Sequence, residues 1–196
     1  MSHSLSNIFY INKIVGKFCS LIPIEAGDAQ LLVDLRSARG DYLRQGEITL
    51  ESQAAYLKQY LHRYQQGEEI YFKIFDNNLQ VDAGVTRLTQ LADGEYFNFE
   101  SGVMRSNAVP NLYLDAYFMC LHIGFEYFNK SFSGPWTIDR RNHRMLQLHK
   151  QIGMVEAYDE DERYIYLLAT KELYRSNVER YQRLGFGRVG NLYALD

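Results

Sequence analysis

Hydrophobic positions along this chain recur in two periods, and the two periods separate helices from strands. From Thr49 to Gly67 the residues Leu50, Ala54, Leu57, Leu61 and Tyr64 fall three and four apart, which gathers them on one helical face. Thr49 is a good N-cap and Gly67 a good stop. A longer stripe of Leu114, Tyr117, Phe118, Leu121, Phe125 and Phe128 predicts a helix over 111–128, entered through Pro110. Shorter helices are predicted over 29–37 behind the Asp28 cap, over 141–152 before Gly153, and over 172–184 before Gly185. Between them lie runs rich in β-branched and aromatic residues at 18–24, 70–75, 81–88, 95–104, 136–139 and 163–169. Asp76-Asn77-Asn78 is turn chemistry, so 70–75 and 81–88 should pair antiparallel. In 95–104 the alternation puts Phe97 and Phe99 on one face and Tyr96, Asn98 and Glu100 on the other.

The predicted order starts with hairpin-linked strands and finishes with strand–helix–strand crossovers. That order implies an α+β protein with a mixed, mostly antiparallel central sheet flanked by helices. No low-complexity tract, fixed-period repeat or linker interrupts it, and only three prolines occur. One domain over 1–196 is expected, with 1–17 as an N-terminal extension and 185–196 as a tail.

Composition narrows the classes. The chain has 196 residues, enough for one sizeable core. Its 21 basic and 24 acidic side chains leave a net charge of −3, which argues against a dedicated nucleic-acid binder. Two cysteines, Cys19 and Cys120, cannot form a disulfide framework and lack zinc spacing. No apolar stretch is long enough to span a membrane, and Met1–Asn7 has no basic segment before an apolar one, so a cytoplasmic location is expected. Sixteen tyrosines and 11 phenylalanines stand against one tryptophan. Tyrosines line sugar and nucleotide clefts, and they also serve as half-buried strand residues.

Three motif matches lack the context their chemistry needs. Gly185-Phe-Gly187-Arg-Val-Gly190 spells the dinucleotide pattern, yet a helix precedes it and only six residues follow. Arg39-Gly40-Asp41 spells an adhesion tripeptide without other signs of secretion. The acidic run Asp159–Glu162 reads as a solvated turn rather than a metal site. His143 and His149, six apart, fall on different helix faces, so no metal is expected.

The informative segment is Trp136–Met154, a strand, a polar turn, an Asn at a helix start, and a helix ended by Gly. Asn142 and His149 are seven apart and share a face, roughly 10 Å apart along the axis. A capping Asn with a core His accounts for the pattern equally well.

Ile138-Asp139-Arg140-Arg141-Asn142, followed by Leu148-His149 and Gly153, resembles a cofactor-contacting motif of the GNAT acyl-CoA N-acyltransferases. The wider chain looks like a subgroup found among bacterial surface-polysaccharide and sugar-modifying genes. Agreement extends to Leu35-Arg36, Tyr42-Leu43, Gln53–Tyr60, Glu69–Phe72 and Gly84–Leu88, and the order of elements resembles the GNAT fold over about 18–184.

The resemblance implies bound acetyl-CoA as acyl donor. A bulged strand would pair with the pantetheine amides through Gly102, Val103 and Met104, with Ser101-Gly102 at the bulge. The following loop would wrap the pyrophosphate at a helix N-terminus, using Arg105 and Ala108. Ala108 and Pro110 stand there where the family carries two small residues. Asn142 would hydrogen-bond the pantetheine. His149 replaces the family's usual Tyr as the acid that protonates the departing thiolate, and Glu100 is the candidate base, or else an ordinary strand carboxylate. With an ordinary imidazole pKa, His149 as the acid would make kcat fall as pH rises past about 6.5.

The implied reaction is direct transfer of an acetyl group to a primary amine of a small molecule, with an amino-sugar nucleotide favoured. A protein or antibiotic amine is the alternative acceptor, and a GNAT-fold binding or scaffold module without catalysis is the alternative role. A homodimer is an admissible assembly; no nucleic-acid or membrane partner is expected.

Overall fold

A computed structural model describes residues 13–38, 48–158 and 162–189. Tyr42-Leu43, Arg39–Asp41, Asp159–Asp161, Gly190 and most of both termini lie outside the described residues.

Eight strands form one sheet: β1 (Ile14–Val15), β2 (Cys19–Pro23), β3 (Glu69–Asp76), β4 (Val81–Thr89), β5 (Tyr96–Met104), β6 (Phe132–Asp139), β7 (Val155–Tyr158) and β8 (Tyr164–Thr170). Five helices connect and cover them: α1 (Ala29–Ser37), α2 (Leu50–Gln65), α3 (Pro110–His122), α4 (His143–Gln151) and α5 (Lys171–Leu184). The sheet order is β1-β2-β3-β4-β5-β6-β8-β7. Every pairing is antiparallel except β5 with β6, so the mixed, mostly antiparallel α+β architecture expected from the sequence is the one observed.

Two cores occupy the two faces. On one, Leu32, Leu35, Leu57 and Tyr60 of α1 and α2 meet Tyr71, Val85 and Val103 of the sheet. On the other, α3 packs with residues of α4 and α5 over Leu21, Phe72, Ile74, Phe97 and Phe99. Because Phe97 and Phe99 face α3 while Val103 faces α1 and α2, β5 contributes to both cores.

Local signals survive in the structure. The Thr49 hydroxyl accepts from the Ser52 amide at 3.1 Å, and Gly185 ends α5 in the left-handed conformation with φ +94°. Gly185 therefore terminates a helix. The Gly187 amide donates to the buried Asp115 carboxylate at 2.8 Å, and that carboxylate also accepts from the Phe18 and Cys19 amides. One side chain of α3 thus ties the first long strand to the chain after α5.

Three expectations are corrected. The buried face of α2 is Gln53, Leu57 and Tyr60, while Leu50 is 47% exposed and Ala54 is exposed. The face turns toward Tyr60 because its hydroxyl accepts from the Tyr71 amide at 3.1 Å, anchoring α2 to β3. The helix expected over 111–128 is α-helical only to His122 and then makes a π-helical turn over Ile123–Tyr127. It is buried almost all round instead of along one stripe, since sheet and helices enclose it. Strands β1 and β7 are unforeseen additions, too short to show alternation.

Candidate active site

The site grows from the way β5 and β6 part. Their parallel ladder consists of Tyr96 with Phe132 and Phe97 with Ser133. β5 then continues to Met104 and β6 to Asp139 without further pairing to each other, leaving a wedge between them. On its other edge β5 stays paired to β4, but Arg87 faces Glu100 while Val85 faces Val103. Thr86 alone therefore opposes Ser101 and Gly102, a β-bulge at the position the sequence marked. From Asn98 onward the β6-facing edge of β5 carries backbone amides and carbonyls outside any strand ladder.

Rings close the wedge on the α3 side. Trp136 of β6 lies 5.1 Å from Phe99 of β5, centroid to centroid, bridging the gap. Tyr117 of α3 contacts both rings, and Tyr113 stacks on Tyr117 at 6.3 Å and 19°. Tyr113 also borders the bulge: a Cβ on Gly102 would lie 3.2 Å from its ring.

His149 enters this group from α4. Asp139 at the end of β6 accepts from the Arg141 amide at 2.9 Å and from the Arg141 guanidinium, which holds its carboxyl well below the usual carboxylate range. The turn delivers Asn142 to the N-cap of α4, and two turns later His149 points at the rings. It is 2% exposed, with centroids 5.3 to 6.1 Å from Trp136, Tyr117 and Tyr113. Its Nε2 lies 3.1 Å from the Tyr113 hydroxyl, whereas Nδ1 is buried without a partner. Burial lowers its pKa to about 4, so the ring is neutral at pH 7. This corrects the expected titration near pH 6.5. Burial also raises the pKa of Tyr113, which keeps its phenol protonated.

The remaining sequence candidates take separate places. Asn142 uses Oδ1 to cap α4, accepting from the Met145 amide at 3.3 Å, so its amide NH2 is what it has left to offer a ligand. Glu100 lies on the opposite sheet face from His149, with β5 between them. There its carboxylate pairs with Arg87 and accepts from Thr89, while Arg87 also bonds Tyr56 of α2. Its side chain is 37% exposed. Gly102 borders Tyr113, Val103 is buried against α1 and α2, and Met104 packs on the α3 side.

The loop after β5 is a turn closed by the Ala108 amide donating to the Arg105 carbonyl at 3.1 Å. Ala108 reaches α3 without a positive φ, so this loop does not need the glycine its position would otherwise favour. Pro110 occupies the first helical position, and Val109, Pro110 and Asn111 are exposed. Arg105 anchors through Nε on the Asp82 carbonyl at 2.7 Å and is otherwise exposed. An exposed helix N-terminus beside an arginine suits an anion.

Sequence reasoning missed Tyr113, Tyr117 and Trp136 as site residues. Tyr117 was legible only as part of the α3 stripe, and nothing local distinguishes Tyr113 from a core tyrosine. A separate cleft of about 770 Å³, lined by Arg140, His143 and Lys150 among others, runs along the opposite flank of α4 and shares no residue with the wedge. Among the described residues no group of His, Cys, Asp and Glu could hold a metal ion.

Solved structures share this architecture. A protein described as FdhC, a nucleotide-linked sugar GNAT, superposes with a TM-score of 0.78 at 23% identity over 88% of this chain and 98% of its own. RimJ of Mycobacterium smegmatis, in complex with CoA-disulfide, gives 0.69 at 13% identity over 88% and 96%. A spermidine N-acetyltransferase SpeG chimera of Vibrio cholerae and hSSAT gives 0.65 at 13% over 81% and 99%. No protein-family model and no curated protein matches the sequence. At these identities the likeness is one of fold, and it extends over most of the chain.

Proposed function

Because the chain carries the GNAT fold, we propose that it is an N-acetyltransferase that moves an acetyl group from acetyl-CoA to a primary amine of a small molecule. The observation that carries this reading is the open, β6-facing edge of β5 inside the wedge. Pantetheine is an extended chain with two amides, and it can pair with such an edge as an added strand would. The buried Trp136 Nε1, without a partner, belongs to the ring that bridges the same wedge and favours a polar ligand there. Gly102, Val103 and Met104 would offer backbone groups, Asn142 its amide NH2, and Arg105, Ala108 and the start of α3 a seat for the pyrophosphate.

The thioester would then lie beside the bulge. An amine approaching from the α1–α2 face meets Glu100, which would take up its proton directly or through water. Attack on the carbonyl gives a tetrahedral intermediate, and its collapse expels the thiolate. The likeness to a nucleotide-linked sugar GNAT favours an amino-sugar nucleotide as the acceptor.

The test is a thermal-shift titration with acetyl-CoA, CoA and a nucleotide lacking pantetheine. A ligand at a hundred times its Kd stabilises by about 2.7 kcal/mol, a shift on the order of 5–11 °C for a domain of this size. Shifts with both CoA ligands and not the control support the reading. Absence of any shift at millimolar ligand would sink it and leave a binding module of GNAT fold.

A further inference from the structure

On the α1–α2 face of the sheet, two acid–guanidinium pairs flank a single phenol. Arg63 of α2 holds Glu69 of β3 through two nitrogens, at 3.0 and 3.2 Å. Arg87 of β4 reaches Glu100 of β5 with one Nη, and with the other it donates to the Tyr56 hydroxyl of α2 at 2.5 Å. The Tyr56 ring stands edge-on to Tyr71 at 6.2 Å, and the Arg63 and Arg87 guanidinium groups lie 5.6 and 5.9 Å from its centroid. Hydrogen placement is unambiguous here. A guanidinium has donors only, so the phenolic oxygen must accept from Arg87. Its own O–H then has no acceptor among the described residues. Burial raises the Tyr56 pKa, so the hydrogen stays on the oxygen.

The rigid, planar head of Arg87 thus holds two unlike functions side by side, a hydroxyl with a hydrogen to give and a carboxylate. Arg87 engages Oε2 of Glu100, whereas Oε1 accepts only from the Thr89 hydroxyl at 3.3 Å, which leaves Oε1 the oxygen open to an incoming amine. The Glu100 side chain is 37% exposed and Tyr56 is half-buried, so both border the space beneath α2 and neither is sealed in the core.

From this pairing we propose that Tyr56 is a specificity-determining residue: its O–H donates to an oxygen on the carbon next to the amine-bearing carbon of the acceptor, which makes the acceptor class a vicinal amino alcohol. The proposal rests on the acetyltransferase reading above, with the acceptor entering over Glu100, and adds the feature by which that acceptor is chosen. An alkylamine seated at Glu100 Oε1 expels water and leaves the Tyr56 O–H facing nothing, and a stranded donor is costly. An acceptor with a hydroxyl beside its amine satisfies both groups at once. Arg87 is the positioning residue, since its two Nη atoms fix where the hydroxyl and the carboxylate stand relative to each other.

The experiment follows thiol release from acetyl-CoA by the full chain, with trans-2-aminocyclohexanol or cyclohexylamine as acceptor and kcat/KM expressed per free amine. The two amines differ only in the hydroxyl beside the nitrogen. The wild type should prefer the amino alcohol by about tenfold or more. Tyr56→Phe keeps the ring against Tyr71 and removes only the hydroxyl. It should lose about tenfold more on the amino alcohol than on cyclohexylamine. Equal kcat/KM for the two amines in the wild type overturns the proposal, and that result needs no variant. Equal losses on both amines in Tyr56→Phe overturn it as well, because a merely structural phenol would give them. Turnover of neither amine by a protein whose melting temperature still rises with CoA sinks the proposal alone and leaves the acetyltransferase reading in place. If no thiol is released and CoA gives no thermal shift, the acetyltransferase reading fails and carries the proposal with it.

Discussion

Replacing His149 with Gln should make the protein markedly less sensitive to acid. In the folded state burial lowers the His149 pKa to about 4 from an ordinary 6.5. Between those values the unfolded chain binds a proton at this position and the folded chain does not. Acidification therefore favours unfolding, and stability rises with pH across the window. The loss begins as pH falls below about 6.5 and is complete below about 4. At 1.36 kcal/mol per pKa unit the difference amounts to about 3 kcal/mol, a large share of a typical domain's total. The glutamine side chain does not titrate and keeps a polar end toward Tyr113, so it isolates protonation from packing. Urea unfolding of wild type and variant, measured at intervals from about pH 7.5 to 4, provides the assay. Carboxylate pairs such as Glu126 with Arg175 weaken with acid in both proteins and cancel in the difference. The two stability curves should diverge by about 3 kcal/mol at the acid end. Parallel curves would show that His149 titrates normally and that the enclosed ring cluster does not desolvate it.

Other substitutions separate structural from chemical roles. Asn142→Asp keeps the cap acceptor and removes the amide donor, so CoA affinity should fall by thermal shift while urea stability holds. Asn142→Ala should cost about 1 kcal/mol of stability as well. Glu100→Gln should reduce kcat/KM with an amine acceptor by about tenfold or more and leave acetyl-CoA binding intact; a change under about threefold would return Glu100 to an ordinary partner of Arg87. Gly124→Ala drives a methyl into the Phe97 ring and should cost about 1–3 kcal/mol in urea unfolding. Asp115→Ala strands the Phe18, Cys19 and Gly187 amides and should destabilise by about 3 kcal/mol or more on the same assay.

What the sequence determined is whatever a few neighbouring residues decide among themselves. Thr49, Asn142 and Gly185 cap or end helices through hydrogen bonds and backbone conformations within four residues of themselves, and all three were legible. So were the hairpin at Asp76–Asn78, the faces of β5 and the order of the longer elements, since each follows from turn chemistry or from a period of two or of 3.6. The tertiary structure decided the rest. The face that α2 buries depends on where Tyr71 presents its amide, 11 residues beyond Tyr60 in the chain. The pKa of His149 comes from burial among rings borne by α3 and β6, and its neutral state could not be read from an isolated helix. Tyr113 and His149 are 36 residues apart, and neither carries a local mark that it meets the other. Periodicity records which side of an element is apolar. Which polar atoms are shut away from water together, and how their protons are then shared, is fixed only when the elements pack.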